Sequence, residues 1–222
     1  MSASPTRIFV VDDHPLVREL LGNLLRLQPD LLVIGEAGEP AAALAAIAAD
    51  PPHIAIVDIS LERGTGLDLI KDLRMQFPRI GIVVLSMHEE ITDLERAFRA
   101  GASGYVMKRE STGQIVEAIR QVREGRIFAN PAMLAQLTAR LMGRSAGDAS
   151  APAEVLSDRE LEVFRRLGEG QSTRDISEAL GVSLKTIQTY CARIKDKLQL
   201  DDGQELARVA FRWHEDRVRR GR

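Results

Sequence analysis

The first half of the chain alternates between two hydrophobic patterns. Five short apolar runs carry almost no polar interruption: Ile8–Val11, Leu32–Ala37, Ile54–Val57, Ile80–Leu85 and Gly104–Met107. Such runs predict strands buried on both faces. Between and after them, apolar residues recur every three or four positions, as in Val17, Leu20, Leu21, Leu24 and Leu25, or Leu67, Ile70 and Leu73. The same spacing returns in Ile91, Leu94 and Phe98 and in Ile115, Ile119 and Val122, and an Ala-rich stretch runs from Pro40 to Ala49. These stretches predict helices with one buried face. Pro15 sits where a first helical turn accepts proline, whereas Pro51-Pro52 and Pro78 stop the helices before them. Strand followed by helix, repeated through the region, predicts a doubly wound five-stranded parallel sheet. Right-handed crossovers then bring every strand C-terminus to one edge.

Met133 to Leu141 predicts a further helix, and Gly143–Pro152 has the Gly, Ser, Ala and Pro content of a flexible linker. Beyond it the periodicity is helical only. Ser157 with Glu160 forms a capping-box signature, Ser172 or Thr173 caps a second helix that stops at Gly181, and Ser183 caps a third. A fourth helix begins near Gln204 and runs to about Val218. The expected organisation is a sheet domain over 1–125, a connecting helix and linker over 126–155, and an all-α four-helix domain over 156–222.

Composition narrows the class. Apolar residues at 45% and charged residues at 28% describe an ordinary soluble globular protein, so a cytoplasmic location is expected. The single Cys191 excludes an intramolecular disulfide and a cysteine-rich metal cluster. No signal sequence and no membrane-spanning run are visible, so no membrane partner is expected. Up to residue 141 there are 15 basic and 18 acidic residues; from residue 156 onward there are 14 and 12. The front is acidic and the back mildly basic, which suggests different partners for the two parts.

The predicted strand ends collect Asp12, Asp13, Asp58, Ser86 and Lys108. Open α/β folds place their ligands at this edge. Three converging carboxylates need a cation, and an all-oxygen ligand set favours Mg²⁺. A carboxylate beside that ion can attack a phosphoryl group, with Lys108 and Ser86 holding the phosphoryl oxygens. His14 precedes Pro15, where a place in starting the helix competes with a catalytic one.

These residues lie in motifs that resemble the receiver domain of bacterial two-component response regulators. The resemblance rests on Val11-Asp12-Asp13-His14-Pro15, on Asp58 with Gly66 eight residues later, on Leu85-Ser86, and on Gly101–Lys108; it covers about residues 6–125. It implies a flavodoxin-like fold in which Asp58 accepts a phosphoryl group from a sensor histidine kinase. It further implies Mg²⁺ held by Asp13 directly, by Asp12 through water, by Asp58, and by the Ser60 carbonyl, with Ser86 and Tyr105 as a switch pair. Apart from that self-catalysed transfer and hydrolysis at Asp58, no enzyme activity is expected. Two departures stand out: Glu62 where many receivers have proline, and bulky Met87 after Ser86.

In the basic part, Ser172–Leu198 reads as two helices joined by a tight turn at Gly181, the layout of a helix-turn-helix. Ile176, Leu180, Val182, Ile187, Ile194 and Leu198 form its apolar contacts. From Ser183 to Gln199 there are four basic residues and one acidic. Leu156–Val163, Ile176-Ser177-Glu178 and Val182–Ile187 resemble the LuxR-type DNA-binding domain, and the order of the two domains is that of NarL/FixJ-family regulators. This resemblance implies double-stranded DNA read in the major groove by Lys185, Thr186, Gln188, Thr189, Arg193 and Lys197. It also implies a homodimer when phosphorylated or DNA-bound, with RNA polymerase as a possible further partner. The dimer contact falls on Leu206, Val209, Ala210 and Trp213, apolar surface beyond what a compact core needs, against an intradomain place for Trp213. Cys191 is expected to be a packing residue, and Arg217–Arg222 a disordered polycation.

Two other functions stay in view. An aspartate-nucleophile phosphohydrolase would need a second Asp two residues after Asp58, where Ser60 stands. A regulator that binds DNA without phosphorylation keeps the fold and drops the switch.

Overall fold

The computed structural model describes residues 4–61, 65–87, 91–142 and 152–220. Five strands, β1 (Thr6–Val11), β2 (Leu31–Ala37), β3 (Ile54–Asp58), β4 (Gly81–Ser86) and β5 (Gly104–Met107), form one parallel sheet. Its strand order is β2-β1-β3-β4-β5. The order reverses direction at β1, so a crevice opens between β1 and β3 at their C-terminal ends. The helices are α1 (Pro15–Arg26), α2 (Pro40–Ala49), α3 (Gly66–Gln76), α4 (Ile91–Ala100) and α5 (Thr112–Arg123).

Alternation along the strands sorts the core into two layers. Val11, Ala55, Val57, Val84 and Tyr105 face α2, α3 and α4, meeting Ile47, Ile70 and Leu94. Ile8, Val10, Ile56, Leu85 and Val106 face the other way, onto Leu25 of α1 and Ile119 of α5. Every residue of β3 is buried, which is why its sequence shows no polar alternation.

The segment expected as a connection behaves differently. After α5 the chain runs beside β5: Tyr105 donates its N–H to the Phe128 carbonyl at 2.8 Å, and Phe128 donates to the Ser103 carbonyl at 2.9 Å. These bonds cover the otherwise open edge of the sheet. Helix α6 (Pro131–Leu141) then places Met133 and Leu137 in the layer shared by α2, α3 and α4. The first compact unit accordingly extends to Thr138, and the second begins at Ala139. The expected flexible linker and Glu62 lie outside the described residues, except for the linker's last residue, Pro152.

The second unit contains α7 (Pro152–Val155), α8 (Asp158–Gly168), α9 (Thr173–Ala179), α10 (Leu184–Leu198) and α11 (Gly203–Arg220). The one-turn α7 adds to the four helices expected, because Ala153 and Leu156 join the core. Ser157 and Glu160 complete a reciprocal capping box at α8, and Ser172, not Thr173, caps α9 with Asp175. Gly181 turns between α9 and α10 at φ 64°, a left-handed conformation that suits glycine.

Helix α11 departs from expectation in two ways. Leu206 and Ala210 are buried in the domain core, with Val209 and Trp213 packed against it. The Trp213 ring meets Phe164 of α8 at 5.4 Å and a 60° tilt, an intradomain contact. The apolar residues left exposed on α11 include Phe211 and Val218 instead. Secondly, Arg217–Arg220 are helical and not a disordered tail; the last two residues of the expected tail lie outside the described ones. Arginine favours helix, cations suit a helix C-terminus, and the Arg217 guanidinium lies 4.4 Å over the Trp213 ring. Among the described residues no helix is long and apolar enough to cross a membrane.

Candidate functional site

The crevice at the C-terminal edge of the sheet gathers side chains from separate strands. Asp12 follows β1, Asp58 ends β3, Ser86 ends β4, and Lys108 follows β5. Asp12, Asp58 and Ser86 are fully buried or nearly so. The Lys108 ammonium lies 2.7 Å from Asp12 Oδ2 and 2.7 Å from Asp58 Oδ2, bridging the two carboxylates. Main-chain bonds set this reach: Lys108 donates its N–H to the Ser86 carbonyl at 2.7 Å, and Ile59 donates to the Leu85 carbonyl at 3.0 Å.

The other carboxylate oxygens are held by backbone. His14 N–H donates to Asp12 Oδ1 at 2.9 Å, and Ser60 N–H donates to Asp58 Oδ1 at 2.9 Å. Gly66 closes the floor beneath Asp58. A Cβ at that position would stand 2.2 Å from the Asp58 carbonyl oxygen, so no larger residue fits without moving β3. The eight-residue spacing from Asp58 to Gly66 thus has a steric cause.

Burial pushes the Asp58 carboxyl above the usual carboxylate range. The Lys108 charge and hydrogen bond and the Ser60 N–H oppose that shift, and Asp12 adds to it. Burial pulls the Lys108 ammonium down, but Asp58 and Asp12 together raise it. The ammonium therefore stays charged and neutralises a crevice whose own carboxylates would repel each other.

One oxygen each from Asp12, Asp13 and Asp58, with one His14 nitrogen, lies within 4.8 Å of the others. Hard carboxylate donors at that spacing fit a small divalent cation. His14 was expected at the start of α1, and it is the N-cap there. Its imidazole also comes within 2.6 Å of Asp13, which the sequence position alone did not signal. A second unforeseen neighbour is Arg18, which donates to the Asp12 carbonyl at 2.6 Å from one turn into α1.

Ser86 pairs in register with Met107, and Tyr105 with Val84. Ser86 and Tyr105 therefore lie diagonally on one face of the sheet, with the Tyr105 ring inside the core at 1% exposure. Met87 stands exposed directly after Ser86.

In the second unit, α10 buries Ile187 and Ile194 and turns the opposite side outward. Lys185, Gln188, Thr189 and Arg193 are exposed, and Thr186 is half-buried. The Ser183 and Thr186 hydroxyls are 2.8 Å apart at the cap, and Thr189 Oγ1 donates to the Lys185 carbonyl at 2.9 Å. Lys197, on the same helix, is placed differently. Its ammonium lies 2.6 Å from the carboxylate of Glu160, which is buried in α8. Burial raises the Glu160 carboxyl, but hydrogen bonds from Lys197 and Ser157 outweigh it and hold the group below its usual range. Cys191 is half-buried against the same core, and burial pushes its thiol up.

A doubly wound sheet with an acid–lysine crevice, followed by a helix-turn-helix unit, defines a class of regulator with a receiver and a DNA reader. Residues 8–120 match the response regulator receiver domain, and residues 154–210 match the bacterial regulatory proteins of the luxR family. The chain belongs to the two-component response regulators that carry a LuxR-type DNA-binding domain. It is 33% identical over 195 residues to the DNA-binding transcriptional activator DevR/DosR of Mycobacterium tuberculosis, covering 88% of this chain and 89% of that one. It is 32% identical to the transcriptional activator protein ExaE of Pseudomonas putida over 92% of this chain and 95% of that one. RcsB of Salmonella enterica serovar Typhimurium, solved bound to a promoter in the presence of a phosphomimetic, shares the fold with a TM-score of 0.66. It is 24% identical, and the match covers 93% of this chain and 98% of that one.

Proposed function

We propose that Asp58 is the phosphoryl acceptor and that its modification controls DNA binding by α10. The observation that supports this best is the Lys108 ammonium, 2.7 Å from both Asp58 and Asp12 in a buried crevice. Asp58 Oδ attacks phosphorus, the bond to the histidine nitrogen of a sensor kinase breaks, and an acyl phosphate forms. Lys108 then exchanges its contact with the Asp58 carboxylate for a phosphoryl oxygen. Asp13, Asp58 and the Ser60 carbonyl, with Asp12 through water, would hold Mg²⁺, which would offset charge on the transferring oxygens. Hydrolysis of the acyl phosphate at the same centre resets the protein, and exposed Met87 restricts the approach of water.

The buried Ser86 hydroxyl is the element drawn toward the new phosphoryl group, with Tyr105 responding beneath it. On this reading β1–β5 with α1–α6 carry the switch, and α7–α11 carry the DNA reader. Lys185, Gln188 and Arg193 offer uncommitted groups to the major groove, and Thr186 and Thr189 flank them. Lys197 stands apart from these, its charge shared with Glu160. Exposed Phe211 replaces Trp213 as the contact through which two copies pair on a two-fold site. The protein works in the cytoplasm on double-stranded DNA, where RNA polymerase is a further partner.

The test is labelling with acetyl phosphate in the presence of Mg²⁺. The native chain takes up phosphate and Asp58→Asn does not; retained labelling in the variant sinks the assignment. Multiple turnover of a phosphomonoester would favour a phosphohydrolase. Equal operator affinity before and after treatment would favour a regulator independent of phosphorylation.

A further inference from the structure

At the opposite, N-terminal edge of the sheet lies a recess of about 450 Å³, within the size range of small-ligand sites. Its walls are Pro51, Pro52, Phe77, Pro78 and Ile80, a rigid and mostly apolar set. Several bonds pin them in place. His53 donates to the Arg7 carbonyl at 2.9 Å, Gly81 donates to the His53 carbonyl at 2.9 Å, and Ile80 donates to the Phe77 carbonyl at 3.1 Å. The Pro78 carbonyl accepts from Arg74 at 2.6 Å. A recess so braced exists before any ligand arrives, which lowers the ordering cost of binding.

Its polar side chains are all donors. Arg79 and Arg123 line the recess, both are exposed, and neither has an ion pair or hydrogen bond among the described residues. His53 also lines it. Its Nδ1 accepts from the Arg7 N–H at 3.0 Å, so the neutral ring carries its proton on Nε2, as a donor. Burial, and then the charges of Arg123 and Arg7, hold that ring below its usual pKa. Arginines on a protein surface commonly find a carboxylate; here two guanidiniums with no such partner among the described residues border apolar walls.

We infer that this recess binds a small organic acid whose apolar, ring-bearing body lies against the prolines and Phe77 while its carboxylate meets Arg79 and Arg123. Planar guanidinium forks match a carboxylate in two-point fashion, and the proline and aromatic faces accept a flat body. The site is independent of Asp58. β3 separates the two, and its five residues span roughly 16 Å at about 3.3 Å per residue.

The test titrates the full chain with naphthoate, with naphthalene carboxamide as the uncharged counterpart and acetate as the headgroup alone, followed by calorimetry and backbone amide shifts. Naphthoate is expected to bind at least about tenfold more tightly than either comparison compound, moving the amides of His53, Ile80 and Arg123. Arg79→Ala with Arg123→Ala should reduce naphthoate affinity by about tenfold or more. Both side chains are exposed and have no partner among the described residues, so the fold survives their removal, and unchanged thermal unfolding verifies this. Asp58→Asn should bind naphthoate like the native chain, which separates this site from the acceptor chemistry. Equal binding of the acid and the amide, undiminished binding by the double variant, or shifts confined to other residues would overturn the assignment. So would tighter binding of an acidic aromatic peptide than of naphthoate, which would give the recess to a protein partner.

Discussion

The crevice around Asp58 and the outer face of α10 both carry cations, but in opposite states. Lys108 is 11% exposed and held between two carboxylates, whereas Lys185 and Arg193 are exposed and without a partner among the described residues. Chemistry at a carboxylate needs a charge fixed at hydrogen-bond distance in a dry site, where its effect is large. Reading DNA needs charges that can leave water for phosphate, because releasing counterions supplies much of the affinity. Lys197 stands between these cases, with its side chain 39% exposed and its ammonium on Glu160.

The largest expected effect comes from Lys108→Met. It leaves Asp12 and Asp58 buried without their cation, and removing one partner of a buried pair costs about 3 kcal/mol. Urea unfolding in metal-free buffer measures it; an unchanged midpoint would show that the crevice does not depend on the bridge. Added Mg²⁺ should restore part of the loss, because the ion takes over the neutralising charge.

Asp58→Asn acts in the other direction, by about 1–2 kcal/mol of added stability. The folded Asp58 holds its proton to higher pH than the unfolded chain, so its contribution falls as pH rises through the window between the ordinary and the raised carboxylate value. The variant removes that fall. Its gain over the native chain should therefore grow from acidic to neutral pH, and a gain that shrinks over that range would contradict the shift.

On α10, Lys185→Ala with Arg193→Ala should weaken operator binding by about tenfold and lower the salt slope by about 2, with stability unchanged. Lys197→Met should show the converse: a stability loss of about 1 kcal/mol from the exposed end of the pair, with little change in the salt slope. Glu160 contributes stability above its ordinary carboxylate range, and this is lost as pH falls through its lowered value. In Lys197→Met that acid-side loss should begin at higher pH. A reduced salt slope would return Lys197 to the DNA face.

Much of this arrangement was visible before any coordinates. Asp12, Asp58, Ser86 and Lys108 could be placed at one edge because each ends an apolar run, and parallel crossovers leave the ends of such runs nowhere else to go. Ser157 and Ser183 marked helix starts because capping is a contact three residues long. The exposed side of α10 followed from its 3.6-residue period. Other features had no local signal. Met133 and Leu137 read as a connecting helix, since an apolar stripe does not say which surface will cover it. Trp213, Leu206 and Ala210 read as spare surface for a second copy, since the core that receives them includes Phe164, far away in sequence.

The succession of strands and helices, the helix starts, the acid–lysine edge and the exposed face of α10 are thus properties of local periodicity and short spacings, and the chain carries them wherever it folds. Which cation is engaged and which is free is a different matter. Lys197 and Glu160 are 37 residues apart, and Lys108 and Asp58 are 50. Contacts of that range arise only when packing brings the elements together and expels the water between them, because only then does a charge find one partner at a fixed distance.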